Sequence, residues 1–381
     1  MIIGIDIRVL ARGTRTGIEE YTINLLSRLF LLGKEHQFKL FSNAFFQKPL
    51  EFGWEKLPNV KIYRFNLPNR FVFDPLEKLF KAPKIDKLVG GADVFFFPHF
   101  LLGAVSTHCP KVLTFHDLSF EYFPEFFSVQ KRFWHNFIAP RQRAREAQKI
   151  IAVSDSTKND LIDWYGLPEQ KVKVIYSGVG EEFKKNSSDS RMWEIKDKYH
   201  LPEKFILYFG TIEPRKNLEG LIRAFEEFRQ KNSGLDHALV LAGAPGWLCQ
   251  KIFSAAKKSP FGRDIIFTGF AEPADKVYLY NLASLFVFPG LFEGFGFPSL
   301  EAMACGVPVV TSNNSCFPEI VGNAALMIDP YNLGELAWAM AEVLKDARLK
   351  NDLIEKGFLN AQNFSWDKCA RETLKFLIPA L

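Results

Sequence analysis

Two rhythms of apolar and polar positions alternate along the chain. Short β-rich runs occur at "IIGIDIRVL", Phe38–Phe41, Val60–Phe65, Val94–Phe97, Val112–Phe115, Ile150–Val153 and Val172–Tyr176. Helical spacing fills the gaps: in "GIEEYTINLLSRLFLLG", Tyr21, Leu25 and Leu29 share one stripe. The second half repeats the theme, with strands predicted at Phe205–Phe209, Ala238–Ala242, Asp264–Thr268, Leu285–Phe288, Pro308–Ser312 and Ala324–Ile328. Helices are predicted between them, at Leu218–Lys231, Lys276–Ala283 and Glu335–Leu344. Strands alternating with helices argue for an α/β fold, a parallel sheet wound with helices on both faces.

The rhythm breaks once. "YSGVGEEFKKNSSDS", Tyr176 to Ser190, carries two glycines and a serine-rich end, which suits a linker. A final helix is predicted over Trp366–Leu377, with Ser365 as N-cap; Lys368 is not the acid of a capping box. At 381 residues the chain exceeds one ordinary domain, so two doubly wound domains are expected. Such domains bind ligands beyond the carboxyl ends of their strands. Functional residues should therefore follow strands directly.

Composition narrows the partners. Hydrophobic residues make up 48% and charged residues 24%, a globular balance. The net charge of +5 is a mild excess that suits anionic ligands or an anionic membrane surface. A nucleic-acid binder would need a clustered basic stripe on a known module, and neither is present. The five cysteines are scattered without a C-x-x-C pair, so neither zinc nor a disulfide framework is indicated, and a reducing compartment is expected. The amino-terminal "MIIGIDIRVLARG" has no signal-peptide pattern, and no apolar run is long enough to span a bilayer. No two aspartates lie two positions apart, so no D-x-D metal site is offered.

Four stretches carry candidate chemistry. "LFEGFGFPSLEAMACGVPVV" (Leu291–Val310) follows a strand and sets Glu293 in a loop, Pro298 in the first turn of a helix and Glu301 in that turn, with Gly306 ending the helix. A helix N-terminus attracts phosphate, and carboxylates accept hydrogen bonds from sugar hydroxyls. Together they suit a nucleotide sugar. An acid stabilising the helix dipole would explain Glu301 alone, but not Glu293 or the glycines. "YFGTIEPRKNLEGLIRAF" (Tyr208–Phe225) places Arg215 and Lys216 after a strand, with Asn217 as the expected N-cap. It reads as an anion site or as a solvated basic loop. "VLTFHDLSFEYFPEFF" (Val112–Phe127) puts His116 at a strand end, either to serve a sugar or to be satisfied by a backbone carbonyl. "RGTRTGIEEY" (Arg12–Tyr21) is the first strand-to-helix turn and lacks the G-x-G-x-x-G fingerprint of dinucleotide binders.

Taken together, these residues resemble the retaining glycosyltransferase family four of the GT-B fold, and its bacterial mannosyltransferase-like branch in particular. The likeness rests on the E-x7-E element "EGFGFPSLE", on "GTIEPRKN", "TFHDLSF", "AVSDSTKNDLI", "VIYSGV" and the terminal "FSWDKCARETL". It implies two Rossmann-like domains facing across a cleft: an acceptor-side domain over 1–180, a donor-side domain over 181–363, and a helix over 364–381 returning to the first. It implies a hexose, mannose first, moved from a nucleotide diphosphate sugar to a glycan or lipid-linked acceptor in O-antigen, capsule or exopolysaccharide synthesis. Lys216, with Arg215, would hold the diphosphate and Glu301 the ribose. Glu293 would contact the donor sugar, helped by amides of Phe295 and Gly296. His116 would sit at the reacting sugar, and Gly17 would let the first loop close on the phosphates. Many family members carry an arginine directly after the glycine that ends the second domain's first strand. Here Thr211 stands there, leaving Arg215 as the candidate to supply the charge.

The implied donor is GDP-mannose or a UDP-sugar, with no cofactor and no metal, and the implied location is cytoplasmic. Peripheral membrane contact is a further option. "KRFWHNFIAPRQRAREAQK" (Lys131–Lys149) mixes aromatics with arginines and reads either as a membrane-surface segment or as an ordinary core-packed helix. The alternatives are a GT-B-like nucleotide-sugar epimerase and a non-catalytic nucleotide-sugar-binding protein. A nicotinamide dehydrogenase is disfavoured by the missing glycine fingerprint.

Overall fold

A computed structural model describes residues 1–13, 15–46, 52–186 and 190–378. Residue 14 of the first loop and residues 187–189 of the expected linker lie outside it. The chain forms two compact units. One comprises Met1–Leu118, Gln130–Gly178 and Ser365–Leu381; the other comprises Ser119–Val129 and Val179–Phe364. Residues 119–129 thus group with the second unit, although their place in the sequence suggested the first.

The first unit holds a seven-stranded sheet. Its strands are β1 (Ile2–Asp6), β2 (Gln37–Asn43), β3 (Val60–Phe65), β4 (Val94–Phe97), β5 (Lys111–Phe115), β6 (Lys149–Ala152) and β7 (Val172–Val174). Every pairing is parallel, in the order β3-β2-β1-β4-β5-β6-β7. The central strands β4 and β5 are buried along their whole length, as strands covered on both faces must be. The edge strand β3 is not. The C-terminal helix Trp366–Leu377 completes this unit by burying Trp366, Cys369, Ala370 and Leu377. Its Asp367 pairs with Arg28 at 3.4 Å, and Ser365 caps it by accepting from the amide of Lys368.

The second unit holds β8 (Phe205–Phe209), β9 (Ala238–Ala242), β10 (Ile265–Gly269), β11 (Leu285–Phe288), β12 (Val309–Ser312) and β13 (Leu326–Ile328). They are parallel in the order β10-β9-β8-β11-β12-β13. The helix Leu218–Lys231 follows β8 and buries Leu218, Leu221, Ile222, Phe225 and Phe228. The ends of β8 and β9 approach so closely that a Cβ on Gly243 would lie 1.9 Å from the carbonyl oxygen of Gly210. Only glycine fits there, and the loops that follow gain a fixed starting point.

Both sheets reverse direction of winding once, between β1 and β4 in the first and between β8 and β11 in the second. Loops leaving such a pair diverge and leave a crevice at the carboxyl end of the sheet. In the second unit those two loops carry Arg215, Lys216 and Glu293.

Candidate active site

The loop after β8 enters a short turn, Pro214–Lys216, before the helix Leu218–Lys231. Asn217 stands between them in the left-handed region, φ 57°, and its side chain makes no capping bond. Instead it donates to the carbonyl of Pro330 at 2.7 Å. The expected N-cap is therefore a tether to a neighbouring loop, because an αL backbone turns the side chain away from the helix amides.

Arg215 and Lys216 are brought directly onto Glu293. Its Oε1 accepts from Lys216 Nζ at 2.5 Å and from Arg215 Nη1 at 2.9 Å. Arg215 Nη1 also donates to the carbonyl of Phe292 at 2.6 Å, and its backbone carbonyl accepts from Leu291 N. Two loops separated by more than seventy positions are thus stitched together at the β8/β11 reversal. Lys216 Nζ also lies 5.0 Å from the centre of the Phe288 ring. The amide of Glu293 donates to Ser315 Oγ, which fixes the loop from the β12 side.

A fourth charge completes the cluster. Glu213, 2% exposed, accepts from Arg215 Nη2 at 3.0 Å. Two carboxylates balance two cations. Glu213 escaped the sequence reading although it sits two residues from Arg215; an acid beside a basic pair in a strand-end loop was the available signal. The pair Glu213 and Glu293 also raises the hydroxyl pKa of Tyr208, after burial itself, so that hydroxyl stays protonated and donates to the carbonyl of Thr211.

Glu301 has different partners. The helix runs Phe297–Ala304 with Pro298 in its first turn and Gly296, φ 78°, just before it. Glu301 therefore lies one residue beyond the first turn, not within it as expected, because Phe297 already has helical geometry. Its Oε1 accepts from Lys276 Nζ at 2.6 Å, and its Oε2 accepts from the Tyr280 hydroxyl at 2.8 Å. Each carboxylate oxygen has two lone pairs, so each retains one for a ligand hydroxyl. Lys276 and Tyr280 were missed because their helix, Lys276–Leu282, meets Glu301 only through the tertiary fold. Phe295 and Gly296 are buried beside this helix start, and the Ser299 hydroxyl in its first turn is buried without a partner among the described residues.

In the first unit, His116 follows β5 and is half-buried. Its Nε2 lies 2.8 Å from the carbonyl of Pro98. A carbonyl can only accept, so Nε2 carries the proton. Burial lowers the pKa of His116, and the ring is neutral with Nδ1 as an acceptor. The carbonyl bond foreseen as the plainer reading is present, and it fixes the tautomer. His99 and His135 are likewise pushed down by burial, to about 3 and about 4. Tyr21 meets His116 edge-on, with ring centres 4.8 Å apart. Gly17 opens the helix Gly17–Leu32, where Thr16 and Glu19 form a capping box. Arg15 nearby pairs with Glu20 at 3.5 Å.

The stretch Lys131–Lys149 is not one helix. It divides into Val129–Ile138 and Pro140–Glu146 at Ala139, φ 54°, because proline cannot continue the first helix. Arg143, one of the arginines in this stretch, is buried and pairs with Glu77 at 2.9 Å. Among the described residues no group of three or more metal-ligating side chains is arranged to hold an ion, and no helix is long and apolar enough to cross a membrane.

Residues 15–183 match the description "Glycosyltransferase Family 4", and residues 191–359 match "Glycosyl transferases group 1". The O-antigen chain mannosyltransferase B of Escherichia coli is 28% identical over 94% of this chain and 95% of its own. The serotype-specific mannosyltransferase WbdA of Escherichia coli is 37% identical over 63% of this chain and 29% of its own. HepE of Anabaena, solved with UDP-glucose, superposes with a TM-score of 0.76 at 21% identity, covering 99% of this chain and all of that one. That likeness speaks for the fold. The protein is a glycosyltransferase of the GT-B fold. The chain belongs to glycosyltransferase family four, in its mannosyltransferase-like branch.

Proposed function

We propose that this enzyme transfers mannose, with retention, from GDP-mannose to a glycan or lipid-linked glycan of a cell-surface polysaccharide. In this reading it works at the cytoplasmic side, in peripheral contact with the membrane. The observation that carries the chemistry is the cluster of Arg215, Lys216 and Glu293 at the β8/β11 reversal. The breaking glycosidic bond leaves negative charge on a nucleoside diphosphate. Fixed cations stabilise such charge without reorganising. Lys216 and Arg215 take the diphosphate by exchanging Glu293 for a phosphate oxygen, and the freed carboxylate turns to the sugar hydroxyls. Amides of Phe295 and Gly296 line the same loop, and Glu301, fixed by Lys276 and Tyr280, takes the ribose. These cations fill the part a metal plays elsewhere, so activity should persist in a chelator. His116 offers Nδ1 to a sugar hydroxyl, and Gly17 starts the first unit's helix for the phosphates.

Glu293, once freed, is engaged by the sugar hydroxyls in this reading and is not assigned as a nucleophile. The reading therefore takes same-face attack, with the departing phosphate accepting the acceptor's proton. A glycosyl adduct on Glu293 in intact-mass spectra would overturn it. The mannosyltransferase relatives support the choice of sugar, and the UDP-glucose complex of HepE keeps a UDP-sugar as the second candidate. A thermal-shift panel of GDP-, UDP-, ADP- and dTDP-sugars tests the donor: GDP-mannose should give the largest shift. A larger shift with any other member rejects it.

A further inference from the structure

The segment before and through the helix Asp74–Phe80 is built inside out. Its inward residues are Phe73 and Glu77, both buried. Glu77 is held by the buried Arg143 rather than by apolar contact. Its outward residues are Val72, Leu76, Leu79 and Phe80, spaced as one helical stripe, with Phe71 beside them. Phe71 is 86% exposed, Leu79 74% and Phe80 69%. The helix Val129–Ile138 adjoins this face, since Lys78 Nζ lies 5.9 Å from the Phe137 ring. One turn before Phe137, Phe133 is 71% exposed. Single exposed apolar side chains need no explanation, but a contiguous stripe of them marks a contact surface.

The surrounding charges are mainly positive. Lys78, Lys81, Arg132, Arg141 and Arg145 lie on the helices Asp74–Phe80, Val129–Ile138 and Pro140–Glu146 or at their ends, and all but Lys78 are exposed. The acids nearby are engaged: Glu146 with Lys81 and Arg143, and Asp74 with Arg8 at 3.8 Å. A second copy of the chain on this face would set the basic rim against itself in a two-fold contact. An anionic lipid surface matches both features, because aromatics and leucines enter the acyl boundary while lysines and arginines meet the headgroups.

We propose that the stripe Phe71–Phe80, with Phe133 and the basic rim, is the surface by which this enzyme docks on an anionic membrane. The proposal locates the membrane contact included in the functional reading, yet lipid binding can be measured without donor or acceptor. The test is flotation of the full chain with vesicles of phosphatidylcholine alone or with added phosphatidylglycerol. The protein should float with the anionic vesicles, and added salt should weaken the association. The double variant L79E/F80E should lose roughly tenfold or more of the bound fraction, as deletion of inserted apolar side chains requires. Its thermal shift with GDP-mannose should match the parent's, which separates a docking defect from misfolding. Lys78→Glu should give a smaller loss in the same direction. Three results overturn the proposal: no flotation of the parent with anionic vesicles, equal flotation of parent and L79E/F80E, or a parent dimer by sedimentation that this variant dissolves.

Discussion

The two sheets share one topology, and their reversal points differ in charge. In the second unit the loops there present Arg215, Lys216 and Glu293, each partly open to solvent. In the first unit the charges near the end of β1 are sealed. Asp6 and Arg8 pair at 2.6 Å, almost wholly buried, and Arg8 is further bound to the carbonyl of Leu102. What the loops after β4 and β5 offer instead is neutral imidazole, His99 and His116. Topology sets where a ligand goes, and the residues set its charge. In the reading proposed above, the second unit's charges meet the donor's anion and the first unit's imidazoles meet neutral hydroxyls.

The sharpest way to break that contrast is Lys216→Ala. It removes a cation from the anion side and should weaken nucleotide-sugar affinity about 100-fold, in line with about 2–3 kcal/mol for a charge-assisted contact. Isothermal titration with GDP-mannose measures it, and unchanged affinity would show that the cluster is only structural. Next is Glu301→Ala, which should cost about tenfold in the same titration, since a hydroxyl hydrogen bond to a carboxylate contributes about 1.5 kcal/mol. It should also lower the melting temperature, because Lys276 is left without its carboxylate.

The smallest effect at neutral pH belongs to the first unit. His99, His116 and His135 are neutral when folded, because burial lowers each pKa. The unfolded chain therefore binds more protons below the ordinary histidine value of about 6.5. Their contribution to stability is full above that pH. It is lost as pH falls toward the folded values, about 4 for His135 and about 3 for His99. Urea midpoints measured from pH 7 to 5 should decline. A single variant, His99→Phe, should flatten the decline; a flat parent curve would show that these rings titrate in the fold as they do in the unfolded chain.

Strand positions were highly legible in the sequence. β3, β4, β8, β9 and β11 begin and end where the apolar runs do, and so do the helices Leu218–Lys231 and Trp366–Leu377. Of these, β4, β8, β9 and β11 are buried almost throughout and have no polar position to blur their limits. The segment around the helix Asp74–Phe80 was not read at all. Its apolar stripe faces outward and its anchor is a buried ion pair, so periodicity gives no inward face to find. At the candidate site, Arg215, Lys216, Glu293 and Glu301 were legible from their place after strands. Their pairings were not: Lys216 with Glu293, and Glu301 with Lys276 and Tyr280, are separated by 77, 25 and 21 positions.

The excursion of residues 119–129 into the second unit also rests on contacts no local pattern announces. Trp247 Nε1 donates to the carbonyl of Phe126 at 2.5 Å, its ring stacks on Phe127, and Tyr122 lies against Phe292 beside Glu293.

The division of the chain among its units bears on biosynthesis. The first unit is closed by Trp366, Cys369, Ala370 and Leu377, which the ribosome adds only after all of Val179–Phe364. At ordinary elongation rates that is a wait of roughly 10–40 s. Through that interval the nascent first unit leaves bare the surface of the helix Gly17–Leu32 that the last helix will cover, while the second unit can already mature. Order of synthesis and order of completion are inverted in this molecule, and the half that emerges first is the one a chaperone would have longest to guard.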